Sequence, residues 1–174
     1  KAAIIGGGNV AMDAARTALR VGYEEVYIVY RRTEEELPAR KEEIRHAKEE
    51  GVIFKLLRAP YEIKEKDGYV DGMVFEVMEL GEPDESGRRR PVGTGTYETM
   101  DVDTVIVALG TGPNPIIQKS CEADKIDINC DRKGYIVINE KGETSVTNVY
   151  AGGDVAPLGE STAINAMGAG KRAA

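Results

Sequence analysis

The residues with the clearest chemical potential are the turn Gly6-Gly7-Gly8-Asn9-Val10-Ala11 and the pair Arg31-Arg32. Gly6-x-Gly8-x-x-Ala11 follows the apolar run Ala2–Ile5 and opens a stretch of small residues. Gly6 permits a tight passage from strand to helix, Gly8 lets the backbone approach a pyrophosphate with no Cβ in the way, and Ala11 lets helix and strand pack closely. A pyrophosphate at that point meets unpaired N–H groups and the positive end of the helix dipole. Asn9 is expected to cap this helix and Asp13 to suit its dipole. The second chemical signal is Tyr30-Arg31-Arg32, where the next strand ends. An acidic residue there would hold a ribose hydroxyl and repel a phosphate. Two guanidiniums instead attract a 2′-phosphate through charge-assisted, often bidentate hydrogen bonds. Together the two motifs imply a site for NADP(H).

The elements that must hold these residues can be read from the same stretch. Ala2–Ile5 reads as a buried strand, and Val10, Ala11, Ala14, Ala15, Ala18 and Leu19 recur at helical spacing between Asn9 and Val21. Gly22 suits a helix C-terminus. Glu25–Tyr30 is β-branched and aromatic, which completes a β-α-β unit of about thirty residues. A second helix is expected to follow, with Pro38 in its first turn. Its Arg40–Glu50 part is charged apart from Ile44 and Ala47, and Gly51 ends it before a third strand, Val52–Leu57.

The pattern then changes to that of a β-meander. Asp67-Gly68 between Tyr61–Lys66 and Tyr69–Leu80 is a strong hairpin signal. Gly81–Gly95 reads as a polar loop, with Arg88-Arg89-Arg90 solvated beside Glu82, Asp84 and Glu85, and Tyr97–Val102 reads as another strand. The apolar run Thr104–Leu109 is expected to return to the centre of the sheet. Gly110 to Pro115 breaks the chain sharply, which predicts one domain over 1–111 and a second over 112–174. In the latter, Tyr135–Ile138 and Asn148–Ala151 read as short strands around Lys141-Gly142, and Thr162–Ala174 as a helix.

Composition narrows the classes of function. With 174 residues the chain can bury a real core, roughly 70% of its unfolded surface. A net charge of −7 argues against nucleic acid or an anionic membrane as partner. Cys121 and Cys130, with eight residues between them, match no zinc or iron–sulfur spacing and read as ordinary thiols of a cytoplasmic protein. His46 sits on the charged second helix and reads as a surface residue. No nucleophile elbow, HExxH or Walker loop is present, and no catalytic or metal-binding residue is assigned. That suits hydride transfer, where the cofactor carries the chemistry and the protein supplies position.

Several of these motifs resemble the glutamate synthase small (β) subunit family. They are Gly6 to Asp13, Tyr30-Arg31-Arg32, Leu37-Pro38-Ala39-Arg40 with Ala47-x-x-Glu50-Gly51-Val52-x-Phe54, the Gly81-Glu82-Pro83-Asp84-x-x-Gly87-Arg88-Arg89-Arg90 segment, and Ala151-Gly152-Gly153-Asp154. The resemblance implies a Rossmann-like, three-layer NADP domain inserted within an FAD domain. It implies that electrons pass from NADPH to FAD and onward, through iron–sulfur clusters, to a large synthase subunit or another acceptor. Residue by residue, Gly6, Gly8, Val10 and Ala11 would face the pyrophosphate, with Asn9 in the same turn, and Arg31 and Arg32 the 2′-phosphate. Gly110 and Thr111 would lie near the nicotinamide half. Gly153 and Asp154 would meet the FAD ribityl chain, and Thr162 and Ala163 the flavin pyrimidine edge.

The family's first FAD fingerprint and its cluster cysteines lie upstream of the segment represented by Lys1–Ala174. Lys1 abuts a strand and Ala174 falls within a predicted helix, so the chain is expected to be part of a longer polypeptide. On that reading it holds an incomplete FAD site, turns nothing over alone, and could pair its open strand with a second copy. Two other functions fit the same residues: a thioredoxin reductase-like flavoenzyme, and an inert NADP-binding module.

Overall fold

The computed structural model describes residues 1–83, 89–156 and 162–174, which form two compact units, Lys1–Gly110 and Thr111–Ala174. The first begins with strand β1 (Ala2–Ile5), helix α1 (Asn9–Arg20) and strand β2 (Val26–Tyr30). A 3-10 turn (Glu34–Glu36) and helix α2 (Lys41–Glu49) lead to β3 (Ile53–Leu56). Then come β4 (Arg58–Lys66), β5 (Tyr69–Pro83), β6 (Arg89–Met100) and β7 (Thr104–Val107). β3, β2, β1 and β7 form a parallel sheet in that order, and β4, β5 and β6 an antiparallel one.

These make three layers. Successive side chains of a strand point to opposite faces, so Ala2, Ile4, Val26 and Ile28 meet Ala11, Met12, Ala15, Ile44 and Ala47 of the helices. Ala3, Ile5 and Val29 meet Met73, Phe75 and Val102 on the other side. Covered on both faces, all four residues of β1 are buried. The helices are clasped to each other by charge. Arg16 donates to Glu50 (2.9 Å) and Glu43 (2.8 Å), and Arg20 donates to Glu50 (2.6 Å). In the meander, Asp67 (φ 55°) and Gly68 (φ 83°) both take the positive φ that a two-residue hairpin turn of this hand requires.

The structure departs from several sequence expectations. Pro38 lies before α2 rather than in its first turn. Proline disfavours helical geometry in the residue ahead of it, and Leu37 is extended (φ −60°, ψ 124°). Val10 points outward, 69% exposed, while Met12 is fully buried. The buried face of α1 is Ala11, Met12, Ala15 and Ala18. Asp13 lies beyond the first turn. β7 is an edge strand beside β1, not a central one. Its run is apolar because Val105 packs toward the meander and Ile106 toward the helices. Most of the expected loop Gly81–Gly95 is strand, since β5 runs to Pro83 and β6 starts at Arg89. A sheet with one wet face accepts polar residues, and an edge strand such as β6 accepts Pro91.

The second unit holds helix α3 (Ile116–Ala123), which has no counterpart in the sequence reading, a 3-10 turn (Gly153–Val155) and helix α4 (Ala163–Ala173). The two expected strands are reduced to isolated antiparallel bridges, Cys130 with Ile136 and Glu143 with Tyr150. Of the described residues in this unit, only Ile128, Ala156 and Ala169 are buried apolar side chains.

Candidate nucleotide-binding site

The three glycines of the first turn are there for different reasons. Gly6 has φ +141°, and a Cβ on it would press on the Ala108 carbonyl, whose carbon would be 2.9 Å away. A Cβ on Gly7 would lie 2.7 Å from Leu37 and 2.8 Å from the Tyr30 ring. Gly8 is extended (φ −88°, ψ 179°), a conformation open to any residue, and a Cβ there would meet nothing within 4 Å. Packing explains Gly6 and Gly7. It leaves Gly8 unexplained, facing open space at the start of α1.

Gly8 is also the N-cap of α1, and its carbonyl accepts from the N–H groups of Ala11 (3.0 Å) and Met12 (3.2 Å). Asn9, expected to cap this helix, does not. Its Oδ1 accepts from the Arg40 N–H at 2.9 Å, at the head of α2. Among the described residues, the N–H groups of Gly8, Asn9 and Val10 donate to no protein acceptor. A helix start always leaves such donors. Here the three follow one another from Gly8, where a Cβ would meet nothing within 4 Å. Ala11 is fully buried against the sheet, as close packing of helix on strand demands.

The turn is braced by Leu37 to Arg40, a segment whose role was not legible in the sequence. Leu37 lies over Gly7, the Ala39 N–H donates to the Gly7 carbonyl (3.1 Å), and Arg40 binds Asn9. Both arginines stand where β2 ends. Arg31 is exposed and has no hydrogen bond or ion pair among the described residues. Arg32 is half-buried. Its carbonyl accepts from the Leu57 N–H (3.1 Å) and its Nε donates to the Arg89 carbonyl (3.0 Å).

Arg89 is not the solvated loop residue expected from the sequence. It opens β6 and holds Glu36, with Nε 3.0 Å from Oε1 and an ion pair at 2.9 Å. Glu36 also accepts from the Thr33 N–H (3.0 Å) and the Thr33 hydroxyl. The Thr33 hydroxyl, then Arg89, holds the Glu36 carboxyl below the ordinary glutamate range. The spacing Thr33-x-x-Glu36 is a capping-box signal that could have been found in the sequence. The approach of β6 could not. Asp84, Gly87 and Arg88 of the same motif lie outside the described residues.

Gly110 closes the first unit and Thr111 opens the second, both exposed. In the second unit Gly153 (φ +81°) and exposed Asp154 form the 3-10 turn Gly153–Val155. Thr162 caps α4 by accepting from the Asn165 N–H (3.3 Å), and Ala163 is that helix's first residue. A Cβ on Gly152 would lie 2.7 Å from the Ala169 carbonyl oxygen, so the turn sits directly on α4.

Residues 1–170 match the pyridine nucleotide-disulphide oxidoreductase family model. The chain belongs to that family. Within it, the chain is 42% identical over 99% of its length to the NADP(+)-dependent formate dehydrogenase subunit beta of Moorella thermoacetica, covering 24% of that protein. It is 36% identical over 98% of its length to the small chain of NADPH glutamate synthase from Halomonas elongata, covering 36% of it. The chain therefore spans about a quarter to a third of these curated relatives. Among solved structures it matches Lactococcus lactis thioredoxin reductase with a TM-score of 0.78 and 22% identity, over 99% of this chain and 50% of that one. That likeness is one of fold, and the fold is Rossmann-like. Among the described residues, no helix of this family member is long and apolar enough to cross a membrane.

Proposed function

We propose that Lys1–Gly110 binds NADP(H). The pyrophosphate would lie on the N–H groups of Gly8, Asn9 and Val10 at the head of α1, beside Gly6 and Ala11, and the 2′-phosphate against Arg31 and Arg32. The observation that carries this reading is Gly8, a glycine that neither its conformation nor its neighbours require. Gly110 and Thr111 would border the nicotinamide half. Gly153, Asp154, Thr162 and Ala163 would form one face of an FAD site, a role supported by the glycine turn packed on α4.

When bound, the nicotinamide supplies a hydride and the flavin accepts it. This chain's residues hold the dinucleotide by its phosphates, select the phosphorylated ribose and keep the reacting ring in register. The parent protein would be an NADPH-dependent flavin oxidoreductase of glutamate synthase small-subunit type, acting in the cytoplasm. Its electrons would pass through iron–sulfur centres to a large subunit or another acceptor. Sequence relatives named as subunits of formate dehydrogenase and glutamate synthase favour this over a thioredoxin reductase.

Gly8→Val tests the site. Extended geometry and open space let the protein accept the side chain, so the circular dichroism spectrum and melting temperature should match wild type. Binding of NADPH and NADH should both be lost, because both share the pyrophosphate. Near-native affinity for either nucleotide in a folded variant would move the site elsewhere.

A further inference from the structure

Arg32 is tethered twice, and its second tether comes from a different layer of the fold. The Leu57 N–H fixes its backbone at the end of β3, and the Arg89 carbonyl, at the start of β6, takes its Nε at 3.0 Å. A guanidinium is a planar fork with five donors. With Nε on a carbonyl, its plane is set, and its two terminal nitrogens have no partner among the described residues. The Arg89 carbonyl is itself held, because the Arg89 side chain is locked onto Glu36 (3.0 and 2.9 Å). Glu36 in turn is anchored by Thr33 (3.0 Å), and its carbonyl accepts from the Tyr30 hydroxyl (2.8 Å). The Glu36 side chain is only 11% exposed.

We propose that Arg89 is a positioning residue for 2′-phosphate recognition: its ion pair with Glu36 pins the start of β6, so that the Arg89 carbonyl holds the Arg32 guanidinium ready for the phosphate. The inference rests on the NADP(H) reading of Arg31 and Arg32. A preorganised fork loses less on binding than a free one. The discrimination between NADPH and NADH therefore depends on a meander strand that would not itself touch the nucleotide.

Titration of the intact protein with NADPH and NADH, in wild type, Arg89→Ala, Arg89→Lys, Arg32→Ala and the Arg32→Ala/Arg89→Ala double variant, tests this. Arg89→Ala should weaken NADPH by about twofold to tenfold, the range of one ordinary hydrogen bond, and leave NADH unchanged. Arg89→Lys keeps a cation for Glu36 and should restore most of the loss. In the Arg32→Ala background, Arg89→Ala should cost nothing further, since coupled residues are not additive. An equal loss for both nucleotides, or the same loss with and without Arg32, would overturn the positioning role. If Arg32→Ala lowers NADPH affinity and Arg89→Ala does not, this inference alone fails. If Arg32→Ala leaves NADPH affinity intact, the assignment of Arg32 to the 2′-phosphate fails with it.

Discussion

In Lys1–Gly110 the glycine turn follows a strand buried along its whole length, whereas in Thr111–Ala174 the Gly152-Gly153 turn packs on α4. Gly6, Gly7 and Gly152 are each fixed by a neighbour that a methyl group would strike: the Ala108 carbonyl, the Tyr30 and Leu37 side chains, and the Ala169 carbonyl. Gly8 is struck by nothing. The difference separates two uses of glycine, one that closes a fold and one that keeps a surface clear. It also separates two foundations. The first unit has a three-layer core, the second three buried apolar residues among those described.

The largest expected effect falls on Gly6. Alanine there combines a backbone at φ +141° with a carbonyl in its path, and should cost about 2–4 kcal/mol. Thermal melting should register it as a lower transition of the first unit. Gly152→Ala meets a similar carbonyl, yet it should loosen only the thinly packed second unit and leave the main melting transition in place. A Gly6→Ala protein melting with wild type would contradict the crowding argument.

A smaller difference should appear without mutation. Local opening is easiest where few apolar contacts are buried. Amides of α3 and α4 should therefore exchange faster than those of β1, β2 and β7 in hydrogen-exchange mass spectrometry. Uniform protection along the chain would erase the contrast between the units.

The smallest effect concerns the clasp between α1 and α2. Arg20 first, and Arg16 with it, hold the Glu50 carboxyl below the ordinary glutamate value. A depressed folded value adds stability above the unfolded value, about 4.3. That stability disappears as pH falls through the depressed folded value. Glu50→Gln should be less stable than wild type at neutral pH, with the gap closing under acid. Denaturant midpoints measured at neutral and acid pH would read this, and a gap that widened toward acid would reverse the assignment.

Much of the first unit was legible because its signals are local. Ala2–Ile5, the glycine turn, the α1 small residues and Asp67-Gly68 each state their geometry within a few residues. What failed was decided by partners distant in sequence. In the β7 run, Val105 and Ile106 pack on opposite faces of an edge strand while Val107 and Leu109 are exposed, so the apolar run did not mark a central strand. Arg89 looked solvated because Glu36, its partner, lies 53 positions away in another layer. Asn9 looked like a cap because its bond to Arg40 spans 31 positions. In the second unit, short apolar segments resembled strands, but each makes a single bridge.

The most direct test of the nucleotide assignment is the affinity of Arg31→Ala for NADPH set beside its affinity for NADH. Arg31 is exposed and has no partner among the described residues, so its removal should leave the fold untouched. A hydrogen bond to a charged group is worth ~1.5–3 kcal/mol. NADPH binding should therefore weaken by roughly tenfold to a hundredfold, while NADH binding stays within about twofold of wild type. Equal losses for the two nucleotides, or no loss for either, would contradict a 2′-phosphate held at the end of β2.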